Sequence, residues 1–202
     1  MSYEAKNFER LLGTEGFSDV LLRNHFTLYE GYVSNTNKVS EFLKTGEVGI
    51  PPWNEIKRRF GWEWNGMRLH ELYFGNMAKG GNALANQLIR GSAVNSKGML
   101  AKKIAEDFGT FEVWEKDFRA TGALRGIGWA ILARDSETGR LFNIWVNEHD
   151  GGHLSGATVL LVMDVFEHAF ALDYGIKRAD YITAFWNAID WSVVSARFIA
   201  GK

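Results

Sequence analysis

A short apolar run that leads directly into an aspartate and a histidine restricts the fold of this chain more than any other feature. Residues 159–162 have the composition of a buried strand, and the sequence Asp164-Val-Phe-Glu-His168 follows almost at once. In an apolar setting these groups must be paired with each other or bound to a metal, because an uncompensated buried charge is very unfavourable. Asp and His are also common ligands of divalent and trivalent ions. A simpler interpretation, a helix cap by Asp164 beside a partly exposed His168, remains open at this point.

The composition excludes several kinds of site and partner. None of the 202 residues is a cysteine, so any metal must be held by His, Asp, Glu or water. The formal net charge is −1, from 23 basic and 24 acidic residues, so we expect neither a nucleic acid nor a membrane as a partner. The N-terminus is polar and no long apolar span is visible, which predicts a cytoplasmic protein.

Two long helical segments are predicted in the first half of the chain. Apolar residues recur with helical periodicity over residues 19–43 and again over about 53–78, and Pro51-Pro52 marks the break between them. Two such helices form a hairpin, which can bring His25 of the first close to His70 of the second. Taken alone, His25 could equally be a buried histidine that hydrogen-bonds to the backbone or to a tyrosine.

The second half of the chain changes from helical to strand periodicity. Two helical patterns cover residues 98–122, and two alternating segments within residues 128–146 surround a turn, which predicts a β-hairpin. Residues 159–163 supply a third strand. The predicted fold class is therefore α+β: an N-terminal long α-hairpin followed by a C-terminal α/β subdomain, in which helices surround a three-stranded antiparallel sheet.

A glycine-containing linker over residues 80–95 places the boundary between these two parts. The predicted domains are residues 1–85, the helical hairpin, and residues 86–202, the α/β domain.

Two further histidines follow the second predicted strand, in the sequence His149-Asp-Gly-Gly-His153. Their spacing could provide a separate metal-binding pair, whereas histidines on loops are usually only solvated. Both interpretations remain open from the residues alone.

Several C-terminal segments keep the order and spacing of one family signature. They are Asp164-Val-Phe-Glu-His168-Ala-Phe, Asp173-Tyr174, Arg178-Ala-Asp-Tyr181, Phe185-Trp186 and Asp190-Trp191. Together they resemble the C-terminal motif of the iron/manganese superoxide dismutases. The resemblance implies that Asp164 and His168 are metal ligands and that each subunit binds one Fe or Mn ion.

Two N-terminal segments are similar to the ligand helices of the same family. The stretch from His25 to Asn37 looks like the first helix, and the stretch from Asn65 to Asn76 looks like the second. The resemblance implies that His25 and His70 complete the set of four metal ligands.

The resemblance also implies roles for residues around the ligands. Family members need a hydrogen-bond donor close to the metal, often from a position four residues before the second ligand histidine. That position is Gly66 here, which has no side chain, so the family pattern points instead to His149 at the end of the second strand. Tyr32 and Trp129 are expected to line the same pocket.

Substrate access and assembly are implied in the same way. The family pattern places Arg178 and Tyr29 at the funnel that admits superoxide, and Glu167 at the interface of a homodimer or a tetramer. There Glu167 is expected to reach the ligand histidine of the partner subunit. Tyr29 and Ala171 occupy positions where the family usually has a His and a Tyr that meet across the interface, so this gate is altered here.

The implied activity is the dismutation of superoxide to dioxygen and hydrogen peroxide at a mononuclear Fe or Mn centre. Two alternatives are kept. A non-haem iron oxygenase needs only two histidines and one carboxylate, and a catalytically silent metal-binding dimer on the same scaffold would fit the altered gate.

The spacing within the first helix predicts regular α geometry. His25 lies seven positions before Tyr32, and each helical residue turns the chain by about 100°, so the two share one face without a bulge. An alignment that puts Asn24 at the ligand position is rejected, because an amide is a poor substitute for imidazole on iron or manganese. We expect His25 to bind the metal and the Tyr32 hydroxyl to face the same pocket.

Overall fold

The computed structural model describes residues 2–81 and 96–200 of the chain. The predicted boundary between residues 85 and 86 lies outside the described residues. Before the first long helix, the chain is irregular except for one 3-10 turn at Glu9–Leu11. None of the described helices combines the length and the apolar character that a membrane crossing requires.

The N-terminal half is the predicted α-hairpin, formed by α1 (Asp19–Thr45) and α2 (Pro51–Gly75). α1 begins where Ser18 caps it, because the Ser18 hydroxyl oxygen accepts the backbone N–H of Leu21 at 3.0 Å. α2 begins at a proline, whose missing N–H is no loss in the first helical turn. α1 is α-helical along its whole length, so the expectation of a helix without a bulge is confirmed.

The C-terminal half contains the predicted sheet and five helices among the described residues. They are α3 (Ser96–Phe108), α4 (Phe111–Gly122), β1 (Gly128–Asp135), β2 (Leu141–Asn147), β3 (Ala157–Asp164), α5 (Ala171–Tyr174), α6 (Arg178–Ala188) and α7 (Trp191–Ala200). The sheet is antiparallel with strand order β2-β1-β3. The α+β fold class is therefore confirmed.

The central strand β1 places Trp129 beside the end of β3. Most of β1 is buried, and Trp129 pairs with Asp164, the last residue of β3. After Asp164 the chain turns back sharply, because the Phe166 N–H donates to Asp164 Oδ1 at 2.8 Å. His168 therefore lies in a single 3-10 turn, Glu167–Ala169.

A buried asparagine joins the end of the hairpin to the sheet. The Asn76 amide donates to Tyr73 O at 2.9 Å and to Val162 O at 3.1 Å. Its oxygen accepts the Val162 N–H at 2.9 Å and the Arg197 guanidinium at 3.2 Å. This single side chain thus links α2, β3 and α7, and it lies close to the residues of α2 and β3 that form the site described below.

Asn76→Ala is expected to lower the free energy of unfolding by about 3 kcal/mol or more, since each buried polar group left without a partner costs about 1–3 kcal/mol. Urea unfolding measures this. Asn54→Ala is the matched control, because Asn54 lies on α2 but makes its one bond, to Gly49 O, at an exposed position. The control should change stability by less than about 0.5 kcal/mol. Equal effects of the two substitutions would contradict the role given to Asn76.

Candidate metal centre

Four side chains from distant parts of the chain converge on one point. His25 comes from α1, His70 from α2, Asp164 from the end of β3 and His168 from the turn that follows. One potential ligand atom from each lies within 4.8 Å of all the others. His25, His70 and Asp164 are buried, while the His168 side chain remains 28% exposed.

The Asp164 carboxylate is the centre of this cluster. Its Oδ2 lies 3.2 Å from the Nε2 of His25, 3.6 Å from that of His70 and 3.2 Å from that of His168. Its Oδ1 is the atom that accepts the Phe166 N–H. One oxygen of Asp164 therefore holds the turn after β3 while the other faces the three imidazoles, and its role as a metal ligand stays a prediction.

The orientation of the imidazoles suits a bound cation. His70 Nδ1 lies 2.6 Å from the carbonyl oxygen of Gly66, so Nδ1 carries the proton and Nε2 presents a lone pair to the cluster. The Nε2 atoms of His25 and His70 are both buried, and neither has a hydrogen-bond partner among the described residues. Three imidazole nitrogens and one carboxylate oxygen fit a divalent or trivalent ion of the iron or manganese type.

The protonation states in the cluster favour metal binding. Burial lowers the pKa of His25, and it lowers that of His70 well below its ordinary value. Burial alone would raise the pKa of Asp164, but the imidazoles of His168 and His25 outweigh it and the pKa falls below its ordinary value. Neutral buried imidazoles and an ionised carboxylate are the forms that ligate a metal.

His149 lies beside this cluster and makes two hydrogen bonds within it. The preceding residue, Glu148, has a left-handed φ of 53°, and His149 is fully buried. Trp129 Nε1 donates to His149 Nδ1 at 3.1 Å, and His149 Nε2 lies 2.7 Å from the Tyr32 hydroxyl oxygen. Both ring nitrogens are therefore engaged.

The direction of the bond to Tyr32 follows from the state of the His149 ring. Burial lowers the pKa of His149 to about 4, so the ring is neutral at pH 7 and carries one proton. Since Nδ1 accepts from Trp129, that proton is on Nε2, and His149 donates to the Tyr32 oxygen. The hydroxyl proton of Tyr32 is then free for another acceptor. Tyr32 also stacks on His70, with 5.2 Å between ring centroids.

Gly66 explains how Tyr32 reaches this position. A Cβ atom at residue 66 would lie 2.5 Å from Cδ1 of the Tyr32 ring, which is closer than any real contact. The tyrosine ring therefore occupies the space that a side chain on α2 would need. The sequence indicated only that Gly66 has no donor to offer, whereas the structure shows that its small size makes room for Tyr32.

Two other expected site residues have different surroundings. Trp129 is buried with its ring centroid 5.0 Å from that of His70, so it lines the cluster. His153 lies outside the cluster on an exposed part of the loop, where its Nε2 contacts the carbonyl oxygen of His149 at 2.9 Å. Because both His149 nitrogens are engaged elsewhere, His149 and His153 do not form a metal-binding pair.

Tyr29 has no access to solvent. Its hydroxyl accepts the Lys6 N–H at 2.9 Å and donates to Glu71 at 3.2 Å. Glu71 is also bonded to the side chains of Lys6 and Arg68. The N-terminal segment and α2 thus hold Tyr29 in the core, and its expected place beside the path of the substrate stays a prediction.

Arg178 and Glu167 lie together at the surface. They line one groove of about 400 Å³, and Glu167 is exposed. The Arg178 guanidinium donates to the carbonyl oxygens of Leu124 and Gly126 at 2.7 and 2.8 Å, which fixes its position.

The sequence interpretation missed two contacts that shape the site. The Phe166 ring stacks on His149 and on His168, with centroid distances of 4.8 and 5.0 Å. The Tyr181 hydroxyl donates to the backbone oxygen of Asp164. The Tyr73 hydroxyl oxygen lies 3.1 Å from the Tyr181 hydroxyl oxygen. The sequence spacing could have indicated Tyr73, because it follows His70 by three residues and so shares its face of α2.

Comparison with known proteins identifies sequence relatives over nearly the whole chain. Residues 96–197 match the family described as "Iron/manganese superoxide dismutases, C-terminal domain". "Superoxide dismutase [Mn] 2" of Haloferax volcanii is 36% identical over 183 residues, which cover 89% of this chain and 85% of the relative. "Superoxide dismutase [Fe]" of Aquifex aeolicus is 34% identical over 193 residues, or 91% and 85% of the two chains. That of Saccharolobus solfataricus is 33% identical over 178 residues, or 84% and 79%.

Gly66→Ala is expected to push the Tyr32 ring away from α2 and to break its bond to His149, because the new Cβ and the ring cannot share the space. A crystal structure of the variant measures this displacement. Gly61→Ala is the matched control, since nothing lies within 4 Å of a Cβ at that position of the same helix. The control should leave Tyr32 in place and stabilise the helix by about 0.5–1 kcal/mol. An undisplaced Tyr32 in Gly66→Ala would contradict this account.

Proposed function

The chain belongs to the iron/manganese superoxide dismutases, and on that premise we propose that His25, His70, Asp164 and His168 hold its Fe or Mn ion. In the reaction, one superoxide ion loses an electron and becomes dioxygen, while a second gains an electron and two protons and becomes hydrogen peroxide. The observation that carries the assignment is the buried Asp164 Oδ2, which faces the Nε2 atoms of all three histidines.

The ion would supply the electron exchange. The surrounding residues orient Tyr32 and provide a proton. Trp129 fixes the His149 ring through Nδ1, and His149 in turn donates to the Tyr32 oxygen. Tyr32 is thereby held beside His70 with its own hydroxyl proton available to the superoxide that is being reduced. His149 therefore acts through Tyr32, where the sequence had suggested that it donates directly beside the metal.

The number of ligands separates this function from an oxygenase site. An oxygenase of the two-histidine, one-carboxylate type leaves several positions open for its substrates. Here a third imidazole lies in the same cluster, so more of those positions are taken.

Substitution of one ligand tests the site. Purified protein should contain one Fe or Mn ion per chain by elemental analysis, and anomalous diffraction should locate it among the four side chains. His25→Gln should reduce metal affinity by at least about 100-fold, the upper end of what loss of a supporting residue causes, and abolish superoxide consumption. His153→Gln is the control, because His153 lies outside the cluster. This variant should retain the metal affinity and the superoxide consumption of the parent protein. Full metal content in His25→Gln would rule out His25 as a ligand.

We also propose that the face around Glu167 is covered by a second copy of the chain. Exposed apolar side chains cluster near Arg178 on this face: Leu124, Ile127, Leu172 and the fully exposed Ile176. Apolar groups in one patch commonly mark an interface. His168 is partly exposed next to Glu167, so the Glu167 carboxylate could accept a hydrogen bond from the partner's His168.

Glu167→Ala is expected to raise the dissociation constant of this dimer on the order of tenfold or more, as loss of a residue central to an interface does. Analytical ultracentrifugation over a dilution series measures the constant, and metal analysis of the same samples reports on ligand retention. Glu47→Ala is the control, because Glu47 is exposed in the turn at the other end of the hairpin. A dimer as tight as that of the parent protein would exclude this role for Glu167.

A further inference from the structure

A buried carboxylate lies between the helices of the hairpin, outside the ligand cluster. Glu63, on α2, is only 3% exposed. Its Oε1 accepts the Arg59 Nε–H at 2.8 Å, and the Arg59 side chain is 56% exposed. Its Oε2 is buried and has no hydrogen-bond partner among the described residues. One oxygen of Glu63 thus contacts a side chain that reaches solvent, while the other lies in the interior.

A second unpartnered polar atom comes from the opposite helix. Thr36 is fully buried, and its hydroxyl oxygen has no hydrogen-bond partner in the described part of the chain. α1 and α2 are antiparallel, and Tyr32 packs on Gly66. One turn further along α1 is Thr36, and one turn back along α2 is Glu63. The two orphan atoms therefore lie at the same level of the hairpin, one helical turn from Tyr32.

Buried oxygen atoms without partners need a physical explanation, and a bound water molecule is the usual one. Such a water requires about two to four polar partners. The Glu63 and Thr36 oxygens supply two of these. The Tyr32 oxygen supplies a third, since it accepts only one bond from His149 and a hydroxyl oxygen has two lone pairs.

We propose that Glu63 is a positioning residue that supplies protons to Tyr32 through a water molecule held between α1 and α2. The proposal rests on the function assigned above to Tyr32. Tyr32 releases its own hydroxyl proton to the superoxide that is being reduced, and the water gives a proton to the Tyr32 oxygen. The Glu63 carboxylate takes one proton from solvent beside Arg59 and passes it to the water. Glu63 ends as the carboxylate that pairs with Arg59, so the chain is unchanged after each turnover.

A surface ion pair is the simpler explanation for Glu63, and its geometry argues against it. Glu55 and Arg58 form such a pair on the same helix, at 3.2 Å, with both side chains more than two-thirds exposed. Glu63 has instead withdrawn its second oxygen from water, which is unfavourable unless that oxygen has a partner in the interior.

Kinetics of the metal-loaded Glu63→Gln variant test the proposal. General acid catalysis contributes about 100-fold or more, and solvent provides a slower bypass, so kcat should fall on the order of tenfold. The value of kcat/KM should stay within about twofold, because substrate capture is unaffected. Glu55→Gln removes the same charge from the same helix and should leave both constants unchanged. Small protonated buffers such as imidazolium should restore kcat in Glu63→Ala, which a purely structural role would not allow.

Two further measurements separate this proposal from the assignment of the metal site. A crystal structure should contain an ordered water bonded to Glu63 Oε2 and the Tyr32 hydroxyl, and elemental analysis of Glu63→Gln should find the parent's metal content. Normal metal with unchanged kcat would overturn the proton route alone, whereas an ion located elsewhere would overturn the proposed function. If Glu63→Gln does not fold, Thr36→Val decides: a lower kcat with normal metal supports the route, and an unchanged kcat refutes it.

Discussion

The structure depends on one carboxylate oxygen surrounded by three imidazole nitrogens in a buried place. Asp164 Oδ2 and the nearby Nε2 atoms all present electron pairs to the same small volume, so the arrangement is stable only with a cation or protons among them. Each of the larger structural features brings a member of this set into place. The hairpin aligns His25 with His70, and the sheet and the turn after it fix Asp164 and His168.

The parts of the structure that were predictable are those set by neighbours along the chain. The break marked by Pro51-Pro52 and the seven-residue spacing between His25 and Tyr32 are local signals, and each had the predicted outcome. Tyr29 shows where such signals stop. Its hydroxyl is engaged by Glu71 and by the backbone of Lys6, and these contacts come from residues that are distant along the chain.

The candidate site was predictable as a set of residues but not as a hydrogen-bond network. The sequence identified His149, Tyr32 and Trp129, yet it did not reveal that they form one chain of bonds or in which direction that chain runs. That direction depends on which nitrogen of His149 carries the proton, and hence on the indole of Trp129. The position of Tyr32 depends on the absence of a side chain at Gly66, on another helix.

The order of the four proposed ligand residues along the chain has a consequence for biosynthesis. Two belong to the N-terminal hairpin, and the other two are the last residue of the third strand and a residue of the turn after it. A complete metal site therefore cannot exist on a nascent chain until most of it has left the ribosome and the two halves have docked. Once bound, the ion acts as a cross-link between those halves, and its binding energy becomes part of the folding energy.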